Sequence, residues 1–161
     1  MATYNREAAV TYALTWWNSA NPAYPVFEDD CTNFISQCLR AGGAPMHGYP
    51  NRSKGWWLQG NNWSYSWSVA HSLRWFMETS TQGLRAVRVS DPSQLEIGDI
   101  IFYDFNGDGR MNHSTIVTSM RNGVPYIHAH TVSSSNRPYH YRDSPAYTPN
   151  IKYYYFHIVS V

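Results

Sequence analysis

The chain has 161 residues and a formal net charge of +1 at pH 7, so its size fits one domain and its charge gives no case for a nucleic-acid partner. Charged residues make up 14% and aromatic residues 16%, which excludes a disordered protein. No apolar run approaches the roughly 20 residues that span a bilayer, so we expect no membrane partner. The aromatic surplus predicts a dense aromatic core or a surface that stacks on sugars or bases.

Three helices and one long loop are predicted in the first half of the chain. Apolar residues recur at helical spacing over residues 5–18, and a second helix begins near Cys31. Residues 44–65 are rich in Gly, Asn, Trp and Tyr and predict a long irregular loop, which is usually functional in a compact domain. A third helix is predicted over about residues 68–79.

Beyond Leu84 the apolar period changes to two, which predicts strands. Asn122-Gly123 is a strong hairpin signal. Helices followed by antiparallel strands indicate an α+β fold, in a single domain covering residues 1–161. The predicted strands are 100–105, 113–120, 125–131 and 152–161.

Two cysteines, Cys31 and Cys38, are seven positions apart. On one helix they would be separated by roughly 10 Å along the axis, whereas a disulfide needs Cα atoms within about 7 Å, so we expect free thiols. Cys38 lies on the apolar stripe and is expected to be a small buried residue. Cys31 is either another such residue or a nucleophile, because a helix start lowers a thiol pKa and offers N–H groups to an oxyanion. Asp29 and Asp30 work against that lowering, and Asp30 is a candidate N-cap.

Three histidines, His113, His128 and His130, fall on one predicted hairpin. With Asn122-Gly123 as a two-residue turn, position 117 faces position 128, and position 115 faces position 130. Facing residues share one face of a sheet, so all three histidines are predicted to project the same way. In that register His113 lies diagonal to His130, roughly 7–8 Å away between backbones.

That arrangement has three interpretations. His113 takes a proton from Cys31 while His130 fixes its tautomer. Alternatively, the histidines bind zinc, with His128 or Cys31 as a third ligand. They could also be three unrelated strand residues.

A further candidate site is a loop with Asp104, Asn106 and Asp108 at positions 1, 3 and 5 and Gly109 at position 6. This pattern is the first half of a calcium-binding loop, but Thr115 stands where the bidentate Glu is expected. The alternative is an ordinary turn between strands. Any calcium bound here would be structural.

Four motifs complete the sequence argument: DCTNFISQCL at residues 30–39, GDII at 98–101, NHS at 112–114 and AHT at 129–131. Together they resemble the signature of a bacterial family, the putative amidase domain. That family belongs to the papain-like cysteine hydrolases, alongside the NlpC/P60 and CHAP cell-wall hydrolases. The resemblance covers nearly the whole chain.

The resemblance implies a papain-like fold and a cysteine amidohydrolase or endopeptidase that works through an acyl-enzyme. Cys31 would be the nucleophile, His113 the base and His130 the residue that orients the base, with His128 as the alternative orienting residue. The implied partner is peptidoglycan or a cell-wall peptide, and the protein would act as a monomer. No cofactor is required, and the structural calcium considered above is a separate hypothesis.

A competing hypothesis is a catalytically silent module that binds cell wall or glycan through an aromatic-lined groove. A phage or spore lytic factor is a third, which changes the biology but not the chemistry. The first residues lack the basic and apolar regions of a signal peptide. We therefore expect either an intracellular protein or, as the resemblance favours, a domain of a longer exported chain in an extracellular or cell-envelope location.

Aromatic residues crowd the long loop after the second helix. Trp56, Trp57, Trp63 and Tyr65 do not follow an apolar periodicity, so we expect them to wall the cleft and contact substrate. Asp30, beside the nucleophile, is a further candidate for substrate binding.

Overall fold

The computed structural model describes residues 2–131 and 133–161, and its fold is α+β, as predicted. Helices dominate the first half and strands the second. The helices are α1 (Arg6–Trp16), α2 (Cys31–Ala41), α3 (Tyr65–Ser68) and α4 (Ala70–Thr79), with a short 3₁₀ helix at Pro92–Gln94.

The strands form one small hairpin and one antiparallel sheet. Strands β1 and β2 pair only with each other, and the other six follow the order β3-β8-β4-β5-β6-β7. The strands are β1 (Leu58–Gln59), β2 (Asn62–Trp63), β3 (Arg85–Val89), β4 (Ile100–Asp104), β5 (His113–Arg121), β6 (Val124–Ala129), β7 (Ser134–Pro138) and β8 (Lys152–Ser160).

The large sheet is buried on both faces, with a different cover on each. Phe102 and Ile116 point to the face that the helices cover. Their neighbours Tyr103 and Val117 point to the opposite face, which the segment between β7 and β8 covers through Tyr141. Alternation along β4 and β5 therefore builds two separate cores.

The helix boundaries follow local chemistry. The Asn5 side chain accepts a hydrogen bond from the Ala8 amide at 3.0 Å and caps α1, and α2 begins at Cys31 as predicted. The predicted third helix is interrupted, because Val69 is extended (φ −120°, ψ 122°) and separates α3 from α4. The long loop also contains the β1–β2 hairpin.

The β5–β6 hairpin has the predicted turn but not the predicted register. Asn122 and Gly123 both have positive φ, at 51° and 77°, as a tight hairpin turn requires. A bulge between Val117 and Ser119 then shifts the pairing by one residue, so that Ile116 faces His128 and Val117 faces position 127. The prediction that position 117 faces 128 is wrong, because one extra residue at a bulge moves side chains to the other face.

The two ends of the described chain lie side by side. Ala2 and Val161 exchange two backbone hydrogen bonds, of 3.3 and 3.1 Å. Among residues 2–131 and 133–161, the helices are all too short or too polar to cross a membrane.

Candidate active site

Cys31 lies at the bottom of a cleft of about 330 Å³ between the start of α2, the α3–α4 junction and the chain just before β5. It is the first residue of α2, and only 3% of its surface is exposed. The lining residues are Asp29, Cys31, Thr32, Ser68, Val69, Ala70, Arg110, Met111 and Asn112.

A larger groove, of about 390 Å³, runs between residues 52–55 and α4. It is lined by neither cysteine and by none of the three hairpin histidines. We therefore place the candidate active site in the smaller cleft.

The Cys31 thiol is in contact with α2 and with the start of β5. Its Sγ atom lies 3.6 Å from the Thr32 hydroxyl, which in turn lies 3.1 Å from the Ser114 hydroxyl. The backbone and side chain of Ser114 also form hydrogen bonds to the thiol. The first turn of α2 is thus joined directly to the residue after His113.

The pKa of the Cys31 thiol is raised, whereas the sequence predicted that the helix start would lower it. Burial raises the pKa of the Cys31 thiol, and so does the Asp29 carboxylate, 3.7 Å from Sγ. Hydrogen bonds from Thr32 and Ser114 work in the other direction but are outweighed. The resting group is therefore a thiol. Both cysteines are free, as predicted, and Cys38 is fully buried in the core.

His113 is buried in an aromatic cluster on the sheet face that lies away from the helices. Its Nε2 atom is 2.9 Å from the Tyr141 hydroxyl, and its ring packs against Tyr103 and Phe105. Burial, together with the positive charge of Arg137, lowers the pKa of His113 to about 4. The imidazole is therefore neutral at pH 7. Within the described residues no hydrogen bond joins His113 to Cys31.

His130 does not contact His113, so the predicted diagonal pair is not formed. Its Nδ1 atom lies 2.6 Å from an Asp30 carboxylate oxygen and its Nε2 atom 2.5 Å from the Trp16 carbonyl. Its ring stacks on Phe34, with centroids 4.0 Å apart. Both ring nitrogens face an acceptor oxygen. His130 thereby ties α1 to the start of α2.

Asp30 precedes α2, but its side chain does not cap the helix. The carboxylate accepts hydrogen bonds from the Asn33 side chain at 2.8 Å and the Phe27 amide at 3.2 Å, in addition to the His130 contact. Burial acts to raise the pKa of Asp30, but these hydrogen bonds outweigh burial and hold it below its usual value. Asp30 occupies the predicted N-cap position, but its carboxylate contacts His130 and does not bond to the backbone N–H groups of the helix start.

His128 lies on the helix-covered face of the sheet, opposite Ile116. Its ring forms hydrogen bonds with two hydroxyl groups and not with the other two hairpin histidines. Its Nδ1 atom is 2.7 Å from the Thr118 hydroxyl and its Nε2 atom 3.1 Å from the Ser135 hydroxyl. Among the described residues, no group of three or more His, Cys, Asp or Glu side chains is arranged to hold a metal ion. This finding gives no support to the zinc interpretation.

The predicted aromatic wall is part of the core. Trp56 and Trp57 are at most 1% exposed, and their ring N–H groups donate to the Ser36 hydroxyl and the Asn51 carbonyl, both at 3.0 Å. Trp63 is half-buried against Phe27. None of these three tryptophans lines the cleft at Cys31. The burial of Trp56 and Trp57 contradicts the expected wall at those two positions, and contact of Trp63 with substrate stays a prediction.

Backbone hydrogen bonds hold the loop that follows Asp104. Both oxygens of the buried Asp104 carboxylate accept backbone N–H bonds, from Gly107, Asp108 and Gly109 at 2.9, 3.2 and 2.7 Å. Asp108 accepts from the Arg110 amide at 3.0 Å. The alternative of an ordinary turn agrees with these hydrogen bonds, and calcium at Asp104, Asn106 and Asp108 stays a prediction.

Some site residues were not predicted from sequence. Thr32 and Ser114 directly follow Cys31 and His113 in two of the motifs, and this adjacency is a signal that could have found them. Tyr141 lies in a segment with no periodicity, and we find no sequence signal for it.

Comparison with known proteins shows the family to which this sequence belongs. Residues 3–156 match the family model described as the putative amidase domain. The chain belongs to this family. The description "putative amidase domain" suggests an amide-bond hydrolase. No solved structure matches the chain.

Two bacterial relatives share the amidase domain sequence. "Uncharacterized protein YhbB" of Bacillus subtilis (strain 168) is 56% identical over 157 residues, covering 97% of this chain and 50% of the relative. "Uncharacterized protein YjcM" of the same organism is 33% identical over 147 residues, covering 86% of this chain and 33% of the relative. The chain thus spans half or less of the length of these relatives.

Proposed function

We propose that this chain is a cysteine amidohydrolase or endopeptidase in which Cys31 is the nucleophile and His113 the base. One observation carries the proposal: the Cys31 thiol opens into a cleft at the start of α2 and contacts Ser114, the neighbour of His113. Cysteine nucleophilic catalysis uses a thiol at a helix start with an imidazole base, and His113 is the residue directly before Ser114 in the sequence.

The reaction balances with these groups alone. Sγ of Cys31 attacks the amide carbonyl carbon while its proton moves to Nδ1 of His113. The tetrahedral intermediate then expels the amine, which takes that proton, and a thioester remains. Water, deprotonated by His113, attacks the thioester and releases the carboxylate and the thiol.

The start of α2 offers donors for the developing oxyanion. The first backbone N–H groups of a helix have no partner within the helix, and the Asp30 side chain does not cap those of α2. In this proposal His130 acts by keeping the Asp30 carboxylate away from these N–H groups, which leaves them free for the oxyanion.

The resting pair is a thiol and a neutral imidazole. The pKa of Cys31 is raised and that of His113 is lowered to about 4, so no ion pair forms before substrate arrives. Proton transfer therefore accompanies attack on the carbonyl, as general base catalysis requires.

We infer that the substrate is a peptide or amide bond of the bacterial cell wall. Support comes from the resemblance of the motifs to NlpC/P60 and CHAP hydrolases and from the bacterial relatives. We also propose that the domain acts as a monomer in an extracellular or cell-envelope setting, as part of a longer protein.

The test is incubation of the domain with purified peptidoglycan, followed by identification of new amino groups. Wild-type protein and the matched control Cys38→Ala should release them, and Cys31→Ala should not. Brief acid quenching should also trap a thioester on the Cys31 peptide, visible by mass spectrometry. Equal release by Cys31→Ala and Cys38→Ala would reject the nucleophile. Binding of peptidoglycan without release by any variant would instead favour the binding module.

A further inference from the structure

A phenol occupies the position next to His113 that an orienting residue would take. The Tyr141 hydroxyl is 2.9 Å from Nε2 of His113, and the two rings meet nearly at right angles, at 88°. We propose that Tyr141 is the positioning residue of His113, holding the ring in the tautomer that leaves Nδ1 free to accept the Cys31 proton. This inference rests on the proposed function, in which His113 is the base.

The backbone of Tyr141 is held in a rare conformation. Its φ of +59° lies in the left-handed region, which is strained for a bulky aromatic residue. Its side chain is only 4% exposed, and its hydroxyl contacts His113. Such strain persists only where surrounding contacts over-determine it, and it clusters at functional sites.

Polar groups fix the far side of the phenol. The Arg137 guanidinium lies 4.2 Å from the centre of the Tyr141 ring, and both Arg137 and Ser134 form hydrogen bonds with the Tyr141 hydroxyl. Arg137 also donates to the Ser134 hydroxyl at 3.1 Å and pairs with Asp143 at 3.1 Å. The hydroxyl that meets His113 is thus anchored on its other side.

The tautomer of His113 decides which atom donates across this contact. In the proposal Nε2–H of His113 donates to the phenol oxygen, because Nδ1 must be free to accept the Cys31 proton. Nε2 keeps its proton throughout catalysis, while Nδ1 gains and loses one. Burial raises the pKa of Tyr141, so the phenol stays protonated during these steps.

The variant that tests this role is Tyr141→Phe, which removes the hydroxyl and keeps the ring. Tyr103→Phe is its matched control, because Tyr103 is also buried and its ring lies 5.5 Å from His113. The Tyr103 hydroxyl, however, contacts Thr115 and the Tyr139 carbonyl.

We expect Tyr141→Phe to lower kcat for peptidoglycan about tenfold or more, in the manner of a lost orienting group, with KM unchanged within about twofold. Tyr103→Phe should keep kcat within about twofold. A Tyr141→Phe enzyme with full kcat, or an equal loss in Tyr103→Phe, would overturn the inference.

A second measurement does not depend on turnover. Nitrogen NMR of the His113 ring should show the Nε2–H tautomer in the wild type and in Tyr103→Phe, and a loss of that preference in Tyr141→Phe. An Nδ1–H tautomer in the wild type would contradict the inference. If the wild type hydrolysed nothing, the proposed function would fail. The NMR measurement would still decide whether Tyr141 fixes the tautomer of His113.

Discussion

His113 and His130 present two opposite uses of histidine on the two faces of one sheet. His113 meets a phenol and lies in the field of the Arg137 cation. His130 meets a carboxylate and a backbone carbonyl. The environment of His113 disfavours a charged ring, whereas in the environment of His130 each ring nitrogen faces an oxygen atom. The difference indicates that His113 is kept neutral to take up a proton, whereas His130 supports the start of α2.

The largest expected effect is on catalysis, and it separates the two histidines. His113→Gln should reduce hydrolysis of peptidoglycan by about 10²- to 10⁴-fold, because a positioned general base contributes that much. His128→Gln is the control, since the His128 ring meets the Thr118 and Ser135 hydroxyls and the Trp17 ring and this variant should keep most of the activity. Released amino groups measure the rate. Normal turnover in His113→Gln would remove His113 from the mechanism.

The second effect is on stability against pH. The pKa of His113 is about 4 in the folded chain and 6.5 ordinarily, so between these values the unfolded chain binds a proton that the folded chain does not. Stability should therefore be complete above pH 6.5 and fall as the pH drops towards 4, by about 3 kcal/mol from this group.

Urea unfolding at a series of pH values checks this effect. The difference between wild type and His113→Gln should change across the window from pH 6.5 to pH 4. A constant difference would mean that His113 titrates normally and that its buried site does not disfavour the charge.

The third effect concerns His130 and is structural. His130→Gln breaks the contact with Asp30 and leaves a partly buried carboxylate without its strongest partner, which should lower the free energy of unfolding by about 2 kcal/mol. His128→Gln again serves as the control, with a smaller loss because it breaks only neutral hydrogen bonds. Urea unfolding at pH 7 measures both. Unchanged stability combined with lost activity in His130→Gln would return His130 to a direct role in catalysis.

The smallest effect is on the Cys31 thiol. Asp29 lies 3.7 Å from Sγ and raises the pKa of the thiol, so Asp29→Asn should speed iodoacetamide labelling of Cys31 at pH 7.5 by about three- to tenfold. The control is Glu28→Gln, which removes a neighbouring exposed charge. Peptide mapping by mass spectrometry separates Cys31 from Cys38. Equal rates in the two variants would assign the raised pKa to burial alone.

Local chemistry predicted the elements that carry the site. The start of α2 at Cys31 and the turn at Asn122-Gly123 both appear where the sequence places them, because helix starts and tight turns depend on a few adjacent residues. The burial of Cys38 followed from its place on an apolar stripe.

The contacts that the sequence did not predict depend on distant parts of the chain. The bulge beside Thr118 is accompanied by the hydrogen bond from this residue to His128, and one inserted residue was enough to separate His113 from His130. The ring N–H of the buried Trp56 donates to the Ser36 hydroxyl on α2. No periodicity in the loop that contains Trp56 predicts this distant partner. Tyr141 reaches His113 only through a left-handed backbone conformation.

The pairing of Ala2 with Val161 has a mechanical consequence for a domain whose relatives are two to three times as long. Polypeptide joined to either end would leave the domain from one point, because two backbone hydrogen bonds hold these ends together. Tension along such a longer chain would load that short ladder first and would bypass the contact between α2 and β5. The cleft at Cys31 could therefore keep its shape while the flanking chain was pulled.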